Sequence, residues 1–181
     1  MLNSNREVFS VEIPQFKTHV KQSSAKWVKI NGQTIYTSAH HRVRYMFMEQ
    51  IHEYLLQYIP KFDENITTIP LELTLYIYAP INYGDVRRMK GVINWKPAKE
   101  DYKPSWDLDN FAWIWVKGVQ DVLQKQGIIP DDNVKFIRKV SYEYIPVEQF
   151  DDRKLVITLS QSETSWTRFW SKLFKLNTNA K

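Results

Sequence analysis

Four aspartates bracket one apolar, tryptophan-rich stretch of the chain. In PSWDLDNFAWIWVKGVQDVLQKQGIIPDDNV, residues 104–134, Asp107 and Asp109 come before that stretch and Asp131 and Asp132 come after it. The first two are separated by a single residue in an extended lead-in, so their carboxylates can point to the same side. The second two fall in a turn just before a strand that could return beside the first pair. Carboxylates gathered in this way repel one another, and each resists ionisation unless a cation neutralises the group. A hard divalent ion meets that need, because Mg²⁺ takes oxygen ligands at about 2.0–2.1 Å and keeps waters for chemistry. The acids are therefore a candidate metal site. Each motif alone is also ordinary structural chemistry: D-x-D-N ahead of a helix caps it and suits its dipole, and Pro-Asp-Asp-Asn makes a turn.

The elements that must position these acids are legible from periodicity. Phe111, Ile114, Trp115, Gly118, Val119, Val122 and Leu123 recur at three and four residues, which predicts a helix ending near Gly127 with Asp109 or Asn110 as its N-cap. A second helix is expected over residues 39–58, where Val43, Met46, Phe47, Ile51, Tyr54, Leu55 and Tyr58 form the apolar face. VFSVEIP (Val8 to Pro14) and IPLELTLYIYAP (Ile69 to Pro80) alternate as strands do. VKFIRKVSYEYIP and KLVITLS read as two further strands, expected as antiparallel neighbours. Lys26 to Ser38 reads as a hairpin about Asn31-Gly32, because both residues tolerate positive φ. Ile81 to Ser105 reads as a long Gly- and Pro-punctuated loop carrying Arg87, Arg88, Lys90, Lys96, Lys99 and Lys103. The order predicts an α+β fold: one domain over residues 1–160, with a mixed, mostly antiparallel sheet and helices packed on it. Residues 161–181 form a separate tail, in which Trp166, Phe169, Trp170 and Leu173 lie on one side of an amphipathic helix whose polar residues include Lys172 and Lys175.

Composition narrows the function classes. The chain has 181 residues with 43% hydrophobic and 14% aromatic content, enough for a packed core. Its net charge of +5 favours a polyanionic partner, nucleic acid or an anionic membrane surface. With no cysteine, disulfides, thiol nucleophiles and cysteine-ligated zinc are excluded, and any metal must use oxygen or histidine ligands. No run approaches the roughly 20 apolar residues of a membrane span, and no cleavable leader is apparent, so a soluble cytoplasmic protein is expected.

DLDN, a helix with a lysine and then an aspartate, a glycine near its end, and DD before a strand together resemble the signature of the RusA family of Holliday junction resolvases, including phage-borne relatives. The layout from Val8 to Leu159 is similar as well, although only Asp107 to Val134 is specific. The resemblance implies a homodimeric, Mg²⁺-dependent endonuclease, with Mn²⁺ as a substitute ion, that nicks four-way DNA junctions in a bacterial cytoplasm. It assigns Asp107, Asp109 and Asp132 as metal-binding carboxylates, with Asp131 as the alternative to Asp132. It departs inside the helix: the family lysine follows the second aspartate by one turn, whereas Trp113 stands there and Lys117 comes a turn later. Lys117 with Asp121 keeps the family's lysine–aspartate spacing, so Lys117 is the candidate phosphate contact or transition-state cation. A solvated helix lysine fits the sequence equally, and Lys103 or Lys90 could supply the charge instead.

The basic loop, with Tyr83, Trp95 and Tyr102 among its cations, suits backbone contacts plus stacking on splayed bases at a branch point. A solvated basic loop would read the same way. His19, His40, His41 and His52 fit surface or capping roles. The displaced lysine keeps a second reading open, a non-catalytic branched-DNA-binding protein of the same fold. A third is docking of the C-terminal helix on the domain, a second subunit, DNA or a membrane surface.

Overall fold

A computed structural model describes residues 7–23, 26–30, 35, 40–62, 70–80, 86–89, 92–95 and 108–161, with backbone alone at 27, 29, 86–89 and 92–95. The elements run β1 (Glu7–Pro14), β2 (His19–Lys21), β3 (Trp27–Lys29), α1 (His41–Leu55), β4 (Leu71–Pro80), β5 (Val86–Met89), β6 (Val92–Trp95), α2 (Leu108–Lys125), β7 (Ile137–Val147) and β8 (Lys154–Gln161). The fold is α+β. A four-stranded mixed sheet has the order β1-β8-β4-β7, and two small two-stranded ladders accompany it.

Alternation in sequence becomes alternation across the sheet. Leu71, Leu73, Leu75, Ile77 and Ala79 of β4, Leu155, Ile157 and Leu159 of β8, and Phe9 and Ile13 of β1 are buried in one core with the apolar faces of α1 and α2. The expected faces of both helices are the buried ones. In α1, Phe47, Ile51, Tyr54 and Leu55 are buried with Val43 and Met46 packed at the margin, while Tyr58 packs there from the turn beyond Leu55, where the helix ends. In α2 every residue of the predicted stripe is buried. Trp115 is wholly enclosed, with the rings of Phe16, Tyr54 and Phe111 at centroid distances of 6.0, 6.2 and 6.3 Å.

Four expectations are corrected. The strands of VKFIRKVSYEYIP and KLVITLS are not neighbours, because β4 lies between them. β7 pairs parallel with β4, with α2 in the crossover between them, and β8 takes the other edge of β4 antiparallel. Alternation identifies a strand but carries no information about its partner. The first arm of the expected hairpin, Trp27–Lys29, pairs back with His19–Lys21, while Asn31-Gly32 and most of the second arm lie outside the described residues. The basic segment read as a loop contains the β5–β6 ladder, Val86–Met89 against Val92–Trp95. Finally, α2 begins at Leu108, so Asp109 and Asn110 belong to its first turn and neither is the N-cap. The tail beyond Gln161 lies outside the described residues.

Two glycines fix α2. At its C-terminus Gly127 has φ +74°, and the amides of Ile128 and Gly127 donate to Leu123 O at 2.9 Å and Gln124 O at 3.1 Å. This is a Schellman closure, which satisfies carbonyls that the helix leaves open. Within the helix, a Cβ on Gly118 would lie 2.8 Å from Ile51 Cγ2 and 3.3 Å from Leu55 Cδ1 of α1. The absent side chain lets the two helices approach. Gly118→Ala gains about 1 kcal/mol of helix propensity but overpacks a branched side chain at a cost of about 1–3 kcal/mol. A net loss near 1 kcal/mol is expected in urea unfolding, and a stabilised variant would show that the crossing is loose.

Candidate metal and DNA site

The first carboxylate stands at the start of α2. Asp109 is exposed there, and a negative charge in a first helical turn is favoured by the helix dipole. Its Oδ1 accepts a hydrogen bond from the Tyr142 hydroxyl of β7. Tyr142 stands opposite Leu75 in the parallel β4–β7 ladder, and so shares the helix-bearing side of the sheet. The hydrogen bond to Asp109, and secondarily burial, raise the Tyr142 phenol above its ordinary range. Trp113, one turn further along α2, is 45% exposed.

The second acidic motif divides its labour. Asp131 serves the turn itself: its Oδ1 accepts the Asp132 amide at 2.8 Å, and its Oδ2 accepts the Asn133 side-chain amide. Asn133 Oδ1 in turn accepts the Lys135 amide at 2.8 Å. Asp132 points to the helix instead, with its Oδ2 2.7 Å from Lys117 Nζ. Of the two alternatives left open by the sequence, Asp132 is the carboxylate directed at α2.

Lys117 is held from two sides. Its Nζ is also 2.7 Å from Asp121 Oδ1, one turn along the same helix, and Asp121 Oδ2 lies 3.2 Å from His52 Nε2 of α1. A line of polar contacts therefore runs His52–Asp121–Lys117–Asp132 across α1, α2 and the turn before β7. Desolvation acts to lower the Lys117 pKa, but the hydrogen bonds to Asp121 and Asp132 outweigh it and push the ammonium above the ordinary lysine range. The hydrogen bond from Lys117 likewise holds the Asp132 carboxyl below the usual carboxylate range, against a smaller opposing effect of burial.

The described acids thus form two groups. Asp109 is tied to Tyr142, and Asp132 to Lys117, eight residues beyond Asp109 on α2, or about 12 Å along the helix axis at 1.5 Å per residue. Among the described residues no three His, Asp or Glu side chains come together as a metal-holding group. Asp107 lies outside them, as do Lys90, Lys96, Lys99 and Lys103, while Arg87 and Arg88 fall on the β5 backbone. His40 is a cap, accepting the Arg42 amide on Nδ1 at 3.4 Å, and His19 contacts Thr18. Sequence reasoning missed Tyr142 and undervalued His52. The Lys117–Asp121 spacing was visible, but Tyr142, 33 residues from Asp109, and His52, 69 residues from Asp121, arrive through the tertiary fold.

Lys117→Met leaves Asp121 and Asp132 as uncompensated neighbouring carboxylates. The pairs are partly solvated, so a loss of about 1 kcal/mol at neutral pH, without divalent ions, is expected. Asp132 has a depressed folded pKa, so its share is present above the unfolded carboxyl value near 3.9 and is lost as pH falls through the folded value. Lys117 has a raised folded pKa, so its share is full below about 10.4 and is lost as pH rises through the folded value. The stability difference between wild type and variant, measured by denaturant unfolding, should form a plateau between these limits; a difference independent of pH would contradict the assigned pairs.

No family model matches the chain, and no curated protein matches it. Among solved structures, the periplasmic domain of Helicobacter pylori MotB covers 84% of this chain and 93% of its own, with 11% sequence identity and a TM-score of 0.26. A likeness that weak carries no argument about either fold or activity.

Proposed function

We propose that the chain is a RusA-like, Mg²⁺-dependent endonuclease acting on four-way or other branched DNA. The observation that supports this reading is the 2.7 Å contact between Lys117 Nζ and Asp132 Oδ2. It joins the lysine of the first acidic helix to the second acidic motif, the two positions that the resemblance to RusA places in one site. Lys117 makes that contact from one turn further along α2 than the family lysine.

Mg²⁺ is commonly bound by one or two carboxylates and several waters, so Asp109 with Asp107 fits it by donor type at the start of α2. An ion held there would supply polarisation of a water for attack on phosphorus and charge stabilisation on the phosphate. The chain's own residues do the positioning. Tyr142 orients the Asp109 carboxylate, and Lys117 holds the Asp132 carboxylate against α2. A homodimer suits the reaction, since two symmetry-related strands require two symmetry-related sites, and a bacterial cytoplasm supplies the DNA. Among the described residues no helix is long and apolar enough to cross a membrane.

A second reading, a non-catalytic branched-DNA-binding protein of the same fold, is favoured by one feature. Lys117 is already engaged by two carboxylates, and Trp113 stands where the family has its lysine. The two readings separate on a labelled four-way junction. Under the first, wild type nicks the junction with Mg²⁺ and not with EDTA, and Asp109→Asn lowers the rate by about 10²-fold or more while binding stays within about twofold. Salt-sensitive binding without metal-dependent nicking selects the second. Wild-type cutting by Asp109→Asn removes the role assigned to that carboxylate.

A further inference from the structure

The side of the sheet opposite the described core is concave and mixes aromatic with hydroxyl side chains. Thr74, Tyr76, Tyr78, Ser141, Val156 and Thr158 line a shallow concavity of about 640 Å³ across β4, β7 and β8. None of these six is fully exposed. Tyr76 and Val156 stand directly opposite one another, and Lys154 Nζ lies 4.9 Å from the centre of the Tyr78 ring. The rim is acidic. Lys139 and Lys154 are taken by Glu72 and Glu12, which leaves Glu7 and Glu143 without an ion pair among the described residues. Such a rim disfavours a phosphate backbone and favours a basic, apolar-faced occupant.

The chain itself contains one. β8 ends at Gln161 beside this face, and the sequence continues with ETSWTRFWSKLFKL, residues 163–176. Its Trp166, Phe169, Trp170 and Leu173 fall on one side at helical spacing, and its Arg168, Lys172 and Lys175 outnumber Glu163. An apolar stripe carrying three aromatics requires a partner. As a helix the segment would be about 21 Å long, against about 26 Å for an eight-residue strand, so one turn after Gln161 suffices to lay it back along the sheet. We propose that residues 163–176 dock on the open face of the sheet through Trp166, Phe169, Trp170 and Leu173, with their cations toward Glu7 and Glu143. The acidic rim and the direct tether select this segment over a second copy or DNA.

The chain has no cysteine, so Val156→Cys creates a unique thiol on the covered face. Its rate of reaction with an aromatic disulfide reagent is measured in the full chain, alone and combined with Phe169→Glu and Trp170→Glu. Docking predicts a slow thiol that reacts about tenfold faster or more once the stripe carries charge, because access then needs no local opening. Thr158→Cys repeats the measurement if Val156→Cys fails to fold. Equal rates with and without the glutamates overturn the proposal, whether the thiol is open in both or shielded in both by another segment. Protection that disappears on dilution overturns it too, by assigning the face to a second copy.

Discussion

The close crossing of α1 and α2 at Gly118 is the constraint on which the arrangement depends. With Ile51 and Leu55 where the Gly118 side chain would be, the helices approach closely enough for His52 to reach Asp121. Asp121 then shares the Lys117 ammonium with Asp132, so the crossing, the helix and the turn before β7 are joined. The apolar part of α2 anchors this arrangement. Trp115, Val119, Val122 and Leu123 are buried on one side of the helix, and the partly exposed charges occupy the other. A shift of α2 by even one residue would turn a buried side chain outward and separate Lys117 from Asp132.

The same helix explains why the four aspartates do not act alike. A carboxylate in the first turn is stabilised by the helix's own partial positive charge, which leaves Asp109 exposed with only a tyrosine hydroxyl as its described partner. Two carboxylates converging further along need an explicit cation, and Lys117 supplies it. Asp131 has its oxygens occupied by the turn. The chemistry available at the two ends of α2 therefore differs. The start offers oxygen donors open to solvent, and the far site offers a neutralised pair that fixes geometry.

Much of this was readable before any coordinates. The stripe from Phe111 to Leu123 is buried residue for residue because a 3.6-residue period has only one way to meet a core, and Leu71, Leu73, Leu75 and Ile77 are buried for the corresponding reason in a strand. Gly127 was legible as a stop because a C-terminal closure requires positive φ. What could not be read was pairing. β7 and β8 look like a hairpin in sequence, yet β4 separates them, and Trp27–Lys29 prefers His19–Lys21. Strand alternation fixes which side chains are buried and is silent about which strand lies alongside. The Tyr142–Asp109 and His52–Asp121 contacts share this limit, since each joins residues far apart in the chain that only the packed sheet and helices bring together.

If the start of α2 is the ion site, a paramagnetic probe should find it. In isotopically labelled protein titrated with substoichiometric Mn²⁺, the account predicts selective broadening of the Asp109, Asn110 and Tyr142 amide signals before those of Lys117, Asp121 and Asp132, with reversal by excess Mg²⁺. Broadening centred on His52, Asp121 and Asp132, or spread without preference over the surface, would contradict it.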